Sequence, residues 1–435
     1  MLAPSRIIAL GGSYVGIAEG IDGNAANVAT PAVREPFSFQ NVEFDVSGNV
    51  YFPGAFAGTD FENRGSIPTR QSAGVENFLY VNTAAMMAVG AFGAAFTLDY
   101  QSFTVRGAGS GPSLDLRILR SNLQLAYGFF HHQLSVGVGV QGVTSYFSEG
   151  GSALAPASGV SPSAGMLLRL DEQPWRFGVT VRGPVTSGNH SSGTYGADGV
   201  RSTAGYILPD QIVVPAQLEA GVAVQLGPRP LNPRWIDPSE QDVELRKRVD
   251  DARELRQAQR VRMLAAALPA ERDALEDRLD REERAIRSVE ENYLDAEHER
   301  LFDERRARYE NWPRPHVLLV ASAVITAPVA NGIAVSSFLD QKLESYGRSF
   351  SVSPRYGVEG EPLPDRFKLR LGGYLEPSLF EGGTARQHFT FGGDIKLFPF
   401  DMFGILPKGT TWQLSFATDL APRYSNWGLG ISVWR

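Results

Sequence analysis

Three groupings in this 435-residue chain have residue types and spacing that could do chemistry. Gly107, Gly109 and Gly111 resemble a phosphate loop, but no helix-opening lysine and hydroxyl residue follow, and the segment joins two strands. His131-His132 could ligate a metal. Adjacent strand residues point to opposite faces, so the pair does not readily chelate one ion and reads as part of a turn. His190 beside Ser191-Ser192 offers the base and nucleophile of a hydrolase without an acid partner in sequence. Cysteine is absent, which removes disulfides, thiol nucleophiles and thiolate metal sites. The expectation is no catalytic residue, no metal, no cofactor and no enzyme.

The remaining charges follow an order of their own. Asp99, Arg176, Arg182, Glu219, Arg370, Asp394, Lys396 and Asp419 all fall on the polar parity of alternating runs. Either they form an ion-pair network across a lumen, or some of them hold a plug or meet a carboxylate headgroup. The runs supply the frame. Trp412, Leu414, Phe416 and Leu420 alternate with Gln413, Ser415, Ala417 and Asp419; Trp427, Leu429, Ile431 and Val433 alternate with Gly428, Gly430 and Ser432. Successive side chains of a strand face opposite ways, so each run has one apolar and one polar face. Fourteen such runs lie between residues 42 and 433. An even count of half-apolar strands predicts an all-β fold: a 14-stranded antiparallel transmembrane β-barrel, with lipid outside and a polar lumen. Strands 1–8 are placed in 37–227 and strands 9–14 in 314–435. Long loops at 54–73, 147–160, 185–210 and 328–347 then share one side.

Composition agrees. There are 46 glycines and 10% aromatics, and no apolar run reaches the roughly 18 residues a transmembrane helix needs. A net charge of −7 argues against nucleic acid as partner. An exported barrel needs a cleavable signal; this chain opens Met1-Leu2-Ala3-Pro4, which reads as a mature form or a mis-set start. The expected location is the bacterial outer membrane, among its lipids.

Two segments break the alternation. Residues 1–36, rich in Gly, Ala and Asn, are assigned to a hatch inside the barrel. Its Ile7, Ile8, Leu10, Tyr14, Val15 and Ile17 either line an apolar pocket for an acyl chain or pack against the wall. Residues 228–313 form an insertion. From Pro238 to about 310 there is no glycine, and Leu245, Val249, Ala252 and Leu255, then Leu275, Leu279 and Ile286, recur at helical spacing. Asp237-Pro238 with Glu240 starts a helix, Pro269 interrupts it and Trp312-Pro313 closes it. Two antiparallel helices are predicted, on the periplasmic side by strand parity. Residues 238–310 are then a solvated stalk or a docking surface for a periplasmic protein.

The stretch Ser5-Arg6-Ile7-Ile8-Ala9-Leu10-Gly11-Gly12-Ser13-Tyr14-Val15-Gly16-Ile17-Ala18-Glu19-Gly20 resembles the mature start of FadL-type long-chain fatty acid transporters, the FadL/TodX family. So does Arg370-Leu371-Gly372-Gly373-Tyr374-Leu375-Glu376-Pro377. The likeness covers the ends; the middle matches only by pattern, and the helical insertion not at all. It implies a fourteen-stranded barrel with an N-terminal hatch, and a lateral opening at the third strand, where Gly90 and Gly93 permit irregular pairing. The hatch turn falls on Asn24, Asn27, Val28 and Ala29, where the family's Asn-Pro-Ala is replaced by Asn27-Val28-Ala29. The chain also ends Trp434-Arg435, whereas barrels usually end on an aromatic. The expected function is uptake of hydrophobic molecules such as long-chain fatty acids, captured in hatch and lumen and released sideways into the membrane. The alternatives are an adaptor barrel that recruits an envelope partner through its helical hairpin, and a soluble β protein.

Overall fold

The computed structural model describes residues 3–34, 41–53, 59–65, 74–106, 113–149, 152–187, 194–195, 201–203, 206–207, 212–235, 237–334, 344–399 and 410–434. Fourteen strands close into one antiparallel barrel. In chain order they are β1 (Val42–Pro53), β2 (Gly74–Val89), β3 (Phe92–Arg106), β4 (Ser113–Phe129), β5 (Leu134–Glu149), β6 (Ser152–Leu168) and β7 (Trp175–Arg182). They continue as β8 (Gln217–Leu226), β9 (Val317–Thr326), β10 (Ser351–Leu363), β11 (Phe367–Glu376), β12 (Arg386–Pro399), β13 (Thr411–Ala421) and β14 (Tyr424–Val433). β1 pairs with β14 from Ser47↔Ser432 to Pro53↔Asn426, so no strand is left as an edge along its whole length. Short turns such as 130–133 and 364–366 mark one end of the barrel, and most of the long connections mark the other.

The alternation points the way a bilayer requires. Leu123, Leu125, Val138, Val140, Leu371, Phe391, Leu429 and Ile431 are 41–60% exposed on the outside, while the opposite parity is buried inward. At ~3.4 Å per residue and a tilt of ~40°, a ten-residue strand rises about 25 Å, the height of a barrel's apolar band. β9 shows why its sequence alternates poorly. Leu318, Val320 and Val324 point inward yet are apolar, and the first two pack against the N-terminal segment. The loop expected at 147–160 is instead a strand hairpin: β5 runs to Glu149 and β6 starts at Ser152, paired down to Leu134↔Leu168. Small residues and prolines hid that strand: Ser158 and Pro162 interrupt the outward parity on either side of Val160.

A separate helical unit comprises α2 (Pro238–Ala266) and α3 (Arg272–Glu310), an α-helical pair inserted between β8 and β9. Leu245, Val249 and Leu279 are buried within it. Further along, the seam turns ionic: Arg253 and Arg256 bond Glu290 at 2.8 and 2.5 Å, and Arg260 meets Asp280 at 2.5 Å. Partial desolvation opposes ionisation of Glu290, but hydrogen bonds from the two arginines hold it below the usual carboxylate range. Leu255, Val261, Val289 and Tyr293 remain exposed on this unit.

Equal exposure in the two units means different solvents. Leu125→Arg on the barrel exterior should cost about 2–4 kcal/mol of folding free energy in liposomes. Leu255→Arg on α2 should change it by less than about 0.5 kcal/mol. Equilibrium denaturant titration of the reconstituted protein checks both values.

Candidate functional site

The lumen is filled in its turn-end half by residues 3–34, which make a short helix, α1 (Ser5–Ala9), and two 3₁₀ turns, Ile21–Ala25 and Thr30–Ala32. So irregular a segment has few internal backbone bonds and must be held by the wall. Glycines make this contact possible. A Cβ on Gly93 would overlap the Pro31 carbonyl, on Gly137 that of Val28, and on Gly178 that of Val15. On Gly165 it would lie 2.5 Å from Asn27 Oδ1, on Gly372 2.5 Å from the Gly11 nitrogen, and on Gly357 2.8 Å from the Leu10 carbonyl. Six strands thus each present a bare backbone to the hatch. Gly11 itself sits at φ 64, and its N–H donates to Thr390 Oγ1 at 3.0 Å.

The proposed binding residues lie inside this contact. Ile7, Leu10, Tyr14 and Ile17 form one buried cluster with Ala223, Leu231, Leu318 and Val320, and Val15 is fully buried against Gly178 and Gly221. Tyr14 hydroxyl donates to the Glu19 carbonyl at 2.9 Å. The structure therefore uses these side chains as packing between hatch and wall. The hatch turn is brought together too. Asn27 Nδ2 donates to the Val15 and Met166 carbonyls, both at 3.0 Å, while its Oδ1 accepts the Ala29 N–H at 3.0 Å. Asn24 Nδ2 faces Met86 sulfur at 3.6 Å, and its carbonyl accepts Gln124 Nε2 at 2.8 Å. One side-chain amide closes the turn without proline.

Gly90 and Gly93 serve other ends than irregular pairing. Gly90 turns the chain at φ 54, and Gly93 seats Pro31. β3 pairs with β4 without a break from Phe92↔Tyr127 to Arg106↔Ser113; on its β2 side the register shifts only between Val75 and Asn77. His131-His132 belongs to a turn in which Phe130, His131 and His132 all have positive φ. His132 points inward, with Nδ1 2.9 Å from the Ala32 carbonyl. His190 and Gly107, Gly109 and Gly111 lie outside the described residues.

The lumen charges are paired, and several grip the hatch. Arg6 makes a two-bond fork to Glu359 at 3.0 and 2.9 Å, and Arg370 joins Glu359 and Asp394 at 2.5 Å each. Arg176, fully buried, bonds Glu19 at 2.5 Å, the Ile17 carbonyl at 3.0 Å and the Leu231 carbonyl at 2.7 Å. Arg182 donates to the Ala25 and Ala26 carbonyls at 2.8 Å. Asp99 accepts from Tyr80 and Asn82 at 2.7 Å, and Lys396 pairs with Asp365 at 2.6 Å. Asp419 meets His388 at 2.7 Å.

Two arrangements were not read from the sequence. At the loop end, residues 59–65 lie across the rim: Asn63 donates to the Glu376 and Thr384 carbonyls, and Arg386 to the Asp60 carbonyl at 2.8 Å. On the loop half of the lumen, Phe103, Leu116 and Phe147 stand side by side on β3, β4 and β5, with Ile118, Val143 and Ala157 in the neighbouring rows. The Phe103–Leu116–Phe147 row is apolar where the opposite wall carries Glu219, Arg355, His388 and Asp419, while the rows beside it also hold Gln101 and Ser145, and Asp99 and Arg120. Parity held the signal: at these positions an apolar residue stands where the lumen phase calls for a polar one.

No family model and no curated protein matches the chain. Among solved structures, it aligns with a Pseudomonas aeruginosa FadL homologue at 10% identity, covering 99% of this chain and 97% of that one, with a TM-score of 0.51. The fold is FadL-like. The TodX monoaromatic hydrocarbon channel, as its deltaS2 mutant, aligns at 12% identity over 99% of this chain and 97% of its own, with a TM-score of 0.48. The CymD monoaromatic hydrocarbon channel aligns at 10% identity over 98% and 95%, with a TM-score of 0.43. Identities this low speak to fold; the seating of this hatch rests on the contacts above.

Gly178→Val should drive Val15 and the hatch from the wall while leaving the outward ladder intact. Single-channel recording in planar bilayers should then show large, stable conductance where the native protein is nearly silent. Unchanged conductance would show that the hatch does not seal through this contact.

Proposed function

We propose that this protein is a bacterial outer-membrane channel for the uptake of hydrophobic molecules such as long-chain fatty acids. The observation that carries the reading is the pairing of a closed hatch with an apolar inward track. A polar solute needs a continuous watery path, and the hatch fills the turn-end half of the lumen with backbone-to-backbone contact. An apolar solute needs a dry surface, which Phe103, Leu116 and Phe147 offer on the loop half. Uptake then runs from capture on this track to release sideways into the lipid, with the turn end and both termini in the periplasm. No bond is made or broken in this scheme. A FadL-type fold is the architecture in which such a route is expected.

A second reading is kept because of the helical unit. An ionic seam with Leu255, Val261, Val289 and Tyr293 exposed is unusual for a free-standing hairpin, whose apolar residues normally face each other. It supports a periplasmic protein partner for residues 238–310.

Radiolabelled oleate should bind the purified protein saturably. Phe147→Asp, which places a charge in the track, should abolish that binding, whereas removal of residues 238–310 should leave it intact. Absence of saturable binding to the native protein would overturn the uptake reading and favour the adaptor.

A further inference from the structure

We propose that the helical unit pairs face to face with a second copy of itself, making a bundle of four helices. The proposal rests on the second reading above, that residues 238–310 have a partner, and names that partner. Ion pairs fix how α2 and α3 meet: Arg253 and Arg256 reach Glu290, Arg256 also approaches Glu283, and Arg260 reaches Glu276 and Asp280. Rising numbers on α2 meet falling numbers on α3, so the two helices are antiparallel. The apolar residues do not follow this seam. On α3, Leu275, Leu279, Glu282, Ile286, Val289 and Tyr293 recur in steps of four and three, the spacing of a coiled-coil stripe. Leu275, Glu282 and Val289 each precede a seam residue by one, which turns the stripe about 100° away from the seam. On α2, Ala252, Leu255, Gln259, Arg262 and Ala266 keep three- and four-residue steps, and the first three precede Arg253, Arg256 and Arg260 by one. In an antiparallel pair, equal turns toward the preceding residue lead to the same side. The two stripes therefore share one face, on which Leu255 is 69% and Val289 67% exposed.

That face is complementary to itself. Copies inserted in one membrane point their helical units the same way, so a twofold axis between two of them runs parallel to the helices. The axis sets α2 of one copy against α3 of the other at equal heights. The ion pairs give those heights, with Arg253 level with Glu290 and Arg260 level with Glu276 and Asp280. Small residues then meet large ones. Ala266 lies opposite Leu275 of the second copy, Ala252 opposite Tyr293, and Leu255 opposite Ile286 and Val289. Charge matches as well: Arg262 on α2 stands opposite Glu282 of the second copy, and the symmetry makes this pair twice. Both residues are exposed in the single copy. All neighbouring helices of the bundle are antiparallel, the arrangement that helix dipoles favour. At a low ratio of protein to lipid, Leu255→Arg leaves the folding of a single copy nearly unchanged; what it removes is association at native density.

The chain contains no cysteine, so single cysteines report the contact. Leu255→Cys and Val289→Cys are made in full chains with different tags and produced together in cells, whose outer membranes are oxidised with copper phenanthroline. A disulfide joining the two tags is expected. Val261→Cys, 59% exposed on the far side of α2, should link to neither above background. Arg262→Glu should lower the linked fraction about tenfold by setting like charges together, and adding Glu282→Arg should restore it. Val289→Cys alone should give no dimer, because the twofold axis sets its two copies on a diagonal. Strong self-linking there would show α3 meeting α3 and overturn the arrangement. Linkage between 255 and 289 no greater than the Val261→Cys control would overturn the pairing, and maleimide labelling of the same membranes then separates two cases. A thiol at 255 that is shielded in place and labelled only after purification would leave the second reading standing with a different partner. A thiol labelled in place would remove the second reading too.

Discussion

Backbone-to-backbone contact between the hatch and the inward glycines is the constraint on which the rest of the structure depends. A strand interior disfavours glycine, which loses most entropy on ordering and offers no side chain to pack. Here Gly93, Gly137, Gly165, Gly178, Gly357 and Gly372 occupy lumen positions in six strands; five admit a hatch backbone atom, and Gly165 the Asn27 side-chain oxygen, where a Cβ could not fit. A segment with only one short helix and two 3₁₀ turns can thus be fully enclosed. Several of its polar groups find partners in the wall, as Asn27 does at Met166 and Gly11 at Thr390.

Charge follows from that enclosure. A lumen filled by protein holds its ionised groups away from bulk water, so each needs a partner. Arg6, Glu359, Arg370 and Asp394 form a continuous chain, with one member on the hatch and three on β10, β11 and β12. Arg176 does the same work from β7 through Glu19 and two carbonyls. Such networks add little net stability over an apolar equivalent, but removing one member strands the others. They fix where the hatch sits; packing and the glycine contacts hold it there.

Much of this was legible in sequence because a period of two survives wherever one strand face meets lipid and the other a polar lumen. Strands such as β13 and β14 carry the full pattern. The pattern failed at β6 and β9, for opposite reasons. β6 sets small residues and prolines between its few large outward side chains, and β9 is apolar inward because it meets Ile7, Leu10 and Tyr14. Parity alone identifies the lumen-facing charges, but it left open whether they pair with one another or hold the plug, and the structure shows both. Their partners were not legible: Glu359 lies 353 residues from Arg6, and only closure of the barrel brings them together. The seating glycines were visible as glycines in strand interiors, but which hatch atom each one meets needs the fold. The apolar track is the subtler loss, being a run of exceptions to the lumen phase.

Hydrogen exchange of the hatch amides, followed by mass spectrometry on the protein in detergent, tests the central claim most directly. If the segment is seated on bare strand backbone, amides between Ser5 and Ala32 exchange about as slowly as those of β11 and β12. Exchange of the hatch within seconds, while those strands stay protected, would contradict it.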